Sequence, residues 1–182
     1  SLARMLIDHK DEKENEAYGG MVKTGMLVFL VQGLIVLIVG VALSFILPGW
    51  LKIPVGLQDE FFWLMIGQTS IMMMGFQTRI LTQILYAHQR MDLHHLAQIA
   101  QFCATLFLLW RCFDAGLGVY SLLLAQFGGW LVQVSICAWA CRSRGLLPRP
   151  GKWGRANRRQ FRELFTYGQD IFWIGLGSQF IT

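Results

Sequence analysis

The sequence predicts an all-α membrane protein, a polytopic bundle of four complete transmembrane helices followed by the start of a fifth. Three observations predict it. Apolar residues make up 54% of the chain and charged residues 15%, with a mean hydropathy of +0.45, whereas soluble domains carry about 25% charge. Uncharged runs recur: 28 residues from Thr24 to Leu51, 18 from Phe61 to Thr78, 15 from Leu96 to Trp110 and 27 from Ala115 to Cys141. About 20 such residues, rising ~1.5 Å each, cross the hydrocarbon layer of a bilayer. The third observation is the placement of charge. Thirteen of the sixteen Lys and Arg residues fall in segments 1–23, 88–95 and 142–163, which alternation of the spans puts on one side. Lys52 and Arg111 fall on the other side, and Arg79 lies within a span. Basic residues gather in cytoplasmic loops, so those three segments are expected inside, and 48–60 and 111–116 outside.

Taken in order, residues 1–141 are expected to form one helical lobe with spans near 24–47, 61–87, 93–112 and 117–140. Leu2 to Ile7 reads as the end of a preceding helix, and the charged stretch from Asp8 to Gly20 as a solvated loop. In the first span Gly33, Gly40 and Ser44 form a small-residue edge that admits a neighbouring helix closely, and Pro48-Gly49-Trp50 closes it. The second span carries Arg79. The turn His88–His95 is short, which makes the second and third spans antiparallel neighbours. Gly116 and Gly118 turn the chain into the fourth span, where Ser121, Ala125 and Gly129 repeat at a spacing of four and give another close-packing edge. Residues 142–163 hold eight Lys and Arg with no acid before Glu163, and Pro148 and Pro150 mark them as a basic cytoplasmic linker. Residues 164–182 open a fifth span that runs off the end of the chain. That ending, together with the start at Ser1, suggests a piece of a longer protein.

Arg79 is the residue on which a functional reading turns. An arginine inside a span costs ~2.5–3.5 kcal/mol on insertion scales, so it faces a bundle interior or a wet cavity. Steps of three and four from it reach Gly75, Thr82, Gln83 and Tyr86, with Gln68 further back on the same face. The third span has its own stripe of His94, Gln98, Gln101 and Thr105, and the two stripes are expected to line one crevice. A guanidinium binds phosphate with a planar fork, and amides and phenols hydrogen-bond sugar hydroxyls. The candidate substrate-binding set is therefore Arg79, Gln68, Gln83, Tyr86, Gln98 and Gln101. Asp170, early in the fifth span, is a weaker candidate for a coupling-ion site.

Other chemistries find little support. The net charge of +5 is concentrated in membrane-flanking loops and is not a nucleic-acid footprint. Cys103, Cys112, Cys137 and Cys141 all lie in expected spans and read as small buried residues. His88, Asp92, His94 and His95 lack a recognised metal-ligand spacing, so no metal is expected. No cofactor loop, nucleophilic triad or paired catalytic carboxylates can be assembled.

The motifs carry a resemblance. The turn AHQRMDLHHLAQIAQF and the segment FRELFTYGQDIFWIGLGSQF resemble Wzx-type polysaccharide flippases, part of a superfamily with lipid II flippases and multidrug and toxic compound extrusion transporters. The shared features are the helix end Leu2–Leu6, the Gln89–Asp92 turn and the basic run into Phe161–Asp170. The resemblance implies that the four spans are the third to sixth helices of a two-lobe transporter of the cytoplasmic membrane. The first two helices and most of the second lobe would then belong to the rest of the chain. It further implies translocation of a polyprenyl-pyrophosphate-linked oligosaccharide for polysaccharide or lipopolysaccharide synthesis, with lobes rocking about the site. The alternatives are a multidrug or cation exporter of the same superfamily and a polytopic membrane enzyme of glycan assembly.

Overall fold

Long apolar runs in a bilayer can satisfy their backbone N–H and C=O groups only within themselves or within a closed barrel. In a computed structural model of the protein these runs are helices. The structure describes residues 16–148 and Arg162, and all regular elements among them are helical. The helices are α1 (Glu16–Trp50), α2 (Gln58–Ala87), α3 (Met91–Asp114) and α4 (Tyr120–Ser143), with one 3-10 turn at Val55–Leu57. The expected helix end at Leu2–Leu6, most of the basic linker and the fifth span lie outside the described residues.

Three of the four helices are long and apolar enough to cross a membrane: α1 from Tyr18 to Trp50, α3 and α4. The fourth, α2, has 30 residues but falls outside that set. Gln68, Thr69, Ser70, Gln77, Thr78, Arg79, Thr82 and Gln83 break up its apolar content.

The helices alternate in direction, as their contacts require. Phe45 of α1 meets Phe62 of α2, with ring centroids 5.1 Å apart. Gly40 faces Thr69, and Gly33 faces Met73. Rising numbers on α1 thus meet falling numbers on α2. Gly128 against Leu108 and Gly129 against Thr105 join α4 to α3. Between the hairpins the contact is α2 on α4: Gly67 faces Leu123, Gln68 bonds Gln126, and Cys141 Sγ lies 3.8 Å from the Leu81 carbonyl. These two helices run parallel. By contrast, α2 and α3, although joined by a short turn, touch little along their length. The expectation that they pack as antiparallel neighbours therefore needs correcting. They are antiparallel, but α4 rather than α3 is the partner of α2.

The buried core lies at the end of the bundle that carries the His88 turn. Tyr18, Met21 and Val22 of α1 meet Ile84, Leu85 and Ala87 of α2, with Ala97 of α3 and Cys137, Ala140 and Cys141 of α4. The Tyr18 hydroxyl donates to the Leu146 carbonyl at 3.1 Å. Residues 16–20, expected in a solvated loop, are thus the first part of α1. Tyr18, Met21 and Val22 repeat at helical spacing and carry enough apolar surface to hold that turn down.

Helix ends are closed by residues in the left-handed region. Gln89 (φ 55°) lets Arg90 N–H reach the Leu85 carbonyl at 2.9 Å, and Gly145 (φ 61°) lets Leu146 N–H reach that of Cys141 at 2.9 Å. Both satisfy carbonyls that the helix end leaves over. Pro48 is tolerated inside α1 because the helix stops two residues later, so few backbone bonds depend on it. Outward faces are apolar: Ile38 and Phe45 on α1, Phe102 and Trp110 on α3, and Leu124 and Trp139 on α4 are exposed, as lipid contact requires.

Candidate functional site

Because α2 and α3 diverge while α4 holds α2, a space opens between the three helices. Near the His88 end it is a cavity of about 530 Å³. α2 contributes Gly75, Arg79, Thr82, Gln83 and Tyr86, the same positions that steps of three and four from Arg79 reach. α3 contributes His94 and Gln98, and α4 contributes Gln133, Val134 and Cys137.

Arg79 is open to this cavity rather than buried. Its guanidinium carbon lies 4.3 Å from the centroid of the Phe76 ring. Among the described residues it has no carboxylate partner; the ion pair found there is Arg111–Asp114, at 3.8 Å. A cation–π contact of this kind uses none of the guanidinium N–H donors, and Arg79 makes no hydrogen bond among the described residues. That arrangement suits an anion with two acceptor oxygens.

Two turns along α2 from Arg79, the ring of Tyr86 lies 5.4 Å from that of His94. His94 is only 6% exposed, and its Nδ1 has no hydrogen-bond partner among the described residues. Its neighbour His95 donates through Nδ1–H to Gln98 Oε1 at 3.3 Å. No group of three His, Cys, Asp or Glu side chains converges as a metal site among the described residues.

A second cavity of about 480 Å³ adjoins the first. Gly75, Gln98 and Gln133 line both, and Ile71, Gln101, Phe102, Thr105, Gln126 and Trp130 complete the second. Four residues of the candidate set, Arg79, Gln83, Tyr86 and Gln98, thus share the first cavity. Gln101 lies in the second. Gln68 stands apart from both linings, where its Nε2 donates to Gln126 Oε1 at 2.7 Å as an interhelical bond. Asp170 lies outside the described residues.

The candidate set left out α4, although the sequence already places its Gln126 and Gln133 on a shared face. Gln126 and Gln133 are two turns apart on one face, which signals a polar stripe facing a partner. His94 and Thr105 were on the α3 stripe but not in the candidate set, and both line the cavities.

No protein-family model, characterised protein or solved structure matches this chain.

Proposed function

We propose that the protein translocates a polyprenyl-pyrophosphate-linked oligosaccharide across the cytoplasmic membrane, as the likeness of its motifs to Wzx-type flippases implies. The observation that carries this reading is the Arg79 guanidinium. It has no carboxylate partner among the described residues and stands in a cavity lined by Thr82, Gln83, Tyr86 and Gln98 together with apolar side chains. A pyrophosphate cannot pass a bilayer bare, and a fixed cation with unspent N–H donors offsets its charge on the way. The same cation disfavours a positively charged drug as cargo. Among the described residues no carboxylate lines the cavity, so the acid–base pair that a glycan-assembly enzyme needs is not found there.

In this proposal α2 also spans the membrane, beside α1, α3 and α4. Its polar side faces the cavity, and the charge asymmetry of the loops orients the His88 end toward the cytoplasm. Arg79 then lies ~7–8 Å to the cytoplasmic side of its span's midpoint, where cargo from the inner leaflet first meets it. The remainder of a two-lobe transporter would close the other side of the site.

The test is Arg79→Ala and Arg79→Lys in the complete protein, read as surface polysaccharide and as inserted protein. Because Arg79 has no carboxylate partner among the described residues, protein levels should hold while export is lost in Arg79→Ala. Arg79→Lys keeps the charge without the fork and should be partly active. Normal export by Arg79→Ala would remove the residue from the mechanism.

A further inference from the structure

The second cavity differs from the first in chemistry. Among the described residues that line it, none is ionisable. It offers the amides of Gln98, Gln101, Gln126 and Gln133, the Thr105 hydroxyl and two aromatic side chains, Phe102 and Trp130. Each amide presents both donors and an acceptor without net charge. Only the Gln126 amide is engaged by another helix, through Gln68, while Gln101 and Gln133 make no side-chain hydrogen bond among the described residues.

Trp130 supplies the second observation. Its ring stacks on Phe127, with centroids 5.7 Å apart, and its Nε1 is buried with no acceptor among the described residues. Because that N–H is closed to solvent, Trp130 lines the chamber through its ring carbons and offers an aromatic face rather than a donor. Amides beside aromatic rings form the surface that neutral carbohydrate needs, because a sugar ring carries hydroxyls at its edge and C–H groups on its faces. The volume, about 480 Å³, is within the range of small-molecule sites.

Position adds order to chemistry. Along α3 the first cavity is lined at His94 and Gln98, and the second at Gln98, Gln101 and Thr105. The neutral chamber is therefore displaced by ~8 Å along the helix, away from the His88 turn. Gly75 lines both chambers, and a side chain there would meet nothing within 4 Å.

We propose that this second chamber is a neutral-sugar subsite, which takes the sugar next to the anionic group held by Arg79. The inference rests on the translocation reading for its ligand but makes a separate demand, discrimination by the sugar. It also sets the direction of the ligand. The phosphates lie toward the His88 end and the glycan toward the opposite end of the bundle.

The experiment uses the complete protein in lipid nanodiscs and two kinds of probe. One is farnesyl diphosphate; the other is the same lipid diphosphate carrying one hexose, glucose, galactose or N-acetylglucosamine. At least one hexose-bearing probe should bind more tightly than farnesyl diphosphate. Trp130→Leu removes the aromatic face, and Gln101→Leu keeps the bulk and removes the amide. Each should weaken the hexose-bearing probe about five- to tenfold, the worth of one ring contact or hydrogen bond, and leave farnesyl diphosphate within about twofold. Arg79→Ala should weaken both probes by a similar factor. Equal wild-type binding of all probes overturns the subsite, as does equal weakening of both probes in Trp130→Leu and Gln101→Leu. Retained hexose preference with no effect of Arg79→Ala would refute the anion role of Arg79 and leave the sugar subsite standing.

Discussion

Two glycines inside helices allow the packing to be tested against a matched control. A Cβ on Gly129 of α4 would overlap the Thr105 hydroxyl and stand 3.0 Å from the Gln101 carbonyl oxygen, which is backbone and cannot rotate away. A Cβ on Gly75 of α2 would meet nothing within 4 Å. Both substitutions to alanine gain the same intrinsic preference, ~0.8–1 kcal/mol per helical residue. Only Gly129→Ala forces α3 and α4 apart, and overpacking of this kind costs ~1–3 kcal/mol. Gly75→Ala should therefore be neutral to stabilising, and Gly129→Ala should fall below it by roughly the overpacking cost, ~1–3 kcal/mol. Gly129→Leu should do worse still. The assay is thermal unfolding of both purified variants in one detergent, alongside folded yield by size exclusion. Equal stability of Gly75→Ala and Gly129→Ala, or the reverse order, would refute the view that the Ser121, Ala125 and Gly129 edge is a tight helix contact.

Two further outcomes are expected. Tyr18→Phe removes the hydroxyl that donates to the Leu146 carbonyl at 3.1 Å and should lower stability by about 1 kcal/mol, read as a lower unfolding temperature; an unchanged transition would mean that the bond contributes nothing. For topology, in a background without the four native cysteines, Gln58→Cys should be labelled from outside intact cells and Asn157→Cys should not. The opposite pattern would invert the orientation.

Much of the candidate site was legible because helical periodicity is a local property. Gly75, Thr82, Gln83 and Tyr86 follow from Arg79 by steps of three and four, and all four line its cavity. The part that was not legible concerns which helices become neighbours. Chain order favours α2 beside α3, yet packing depends on surface shape. Gly67 accepts Leu123 and Gln68 meets Gln126, so α2 settles on α4. That choice opens the space beside α3 and brings Gln133 into the site. The start of α1 was obscured for another reason. The acidic and basic residues before Tyr18 suggest a solvated loop, while the apolar signal is only the short stripe of Tyr18, Met21 and Val22. That stripe becomes decisive only when the ends of α2 and α4 bury it.

The composition of α2 follows from the same geometry. Hydropathy averaged along a helix weights every face equally, but a helix in a bundle meets lipid on only part of its surface. One side of α2 is taken by α1, where Gly40 lies over Thr69 and Gly33 over Met73. Another is taken by α4, which engages Gln68. A third faces the cavity and carries Arg79, Thr82, Gln83 and Tyr86. The Thr69 and Ser70 hydroxyls donate back to the Met65 and Ile66 carbonyls at 2.6 and 2.8 Å, so they expose little unmet polarity. Large apolar side chains that remain exposed on this helix include Trp63, Met72 and Met74. In the translocation proposal α2 also crosses the membrane, and an arginine that faces a cavity costs less there than one that faces hydrocarbon. Arg79, Thr82 and Gln83 line the cavity and Gln68 bonds α4, so the proposal turns these polar side chains away from lipid.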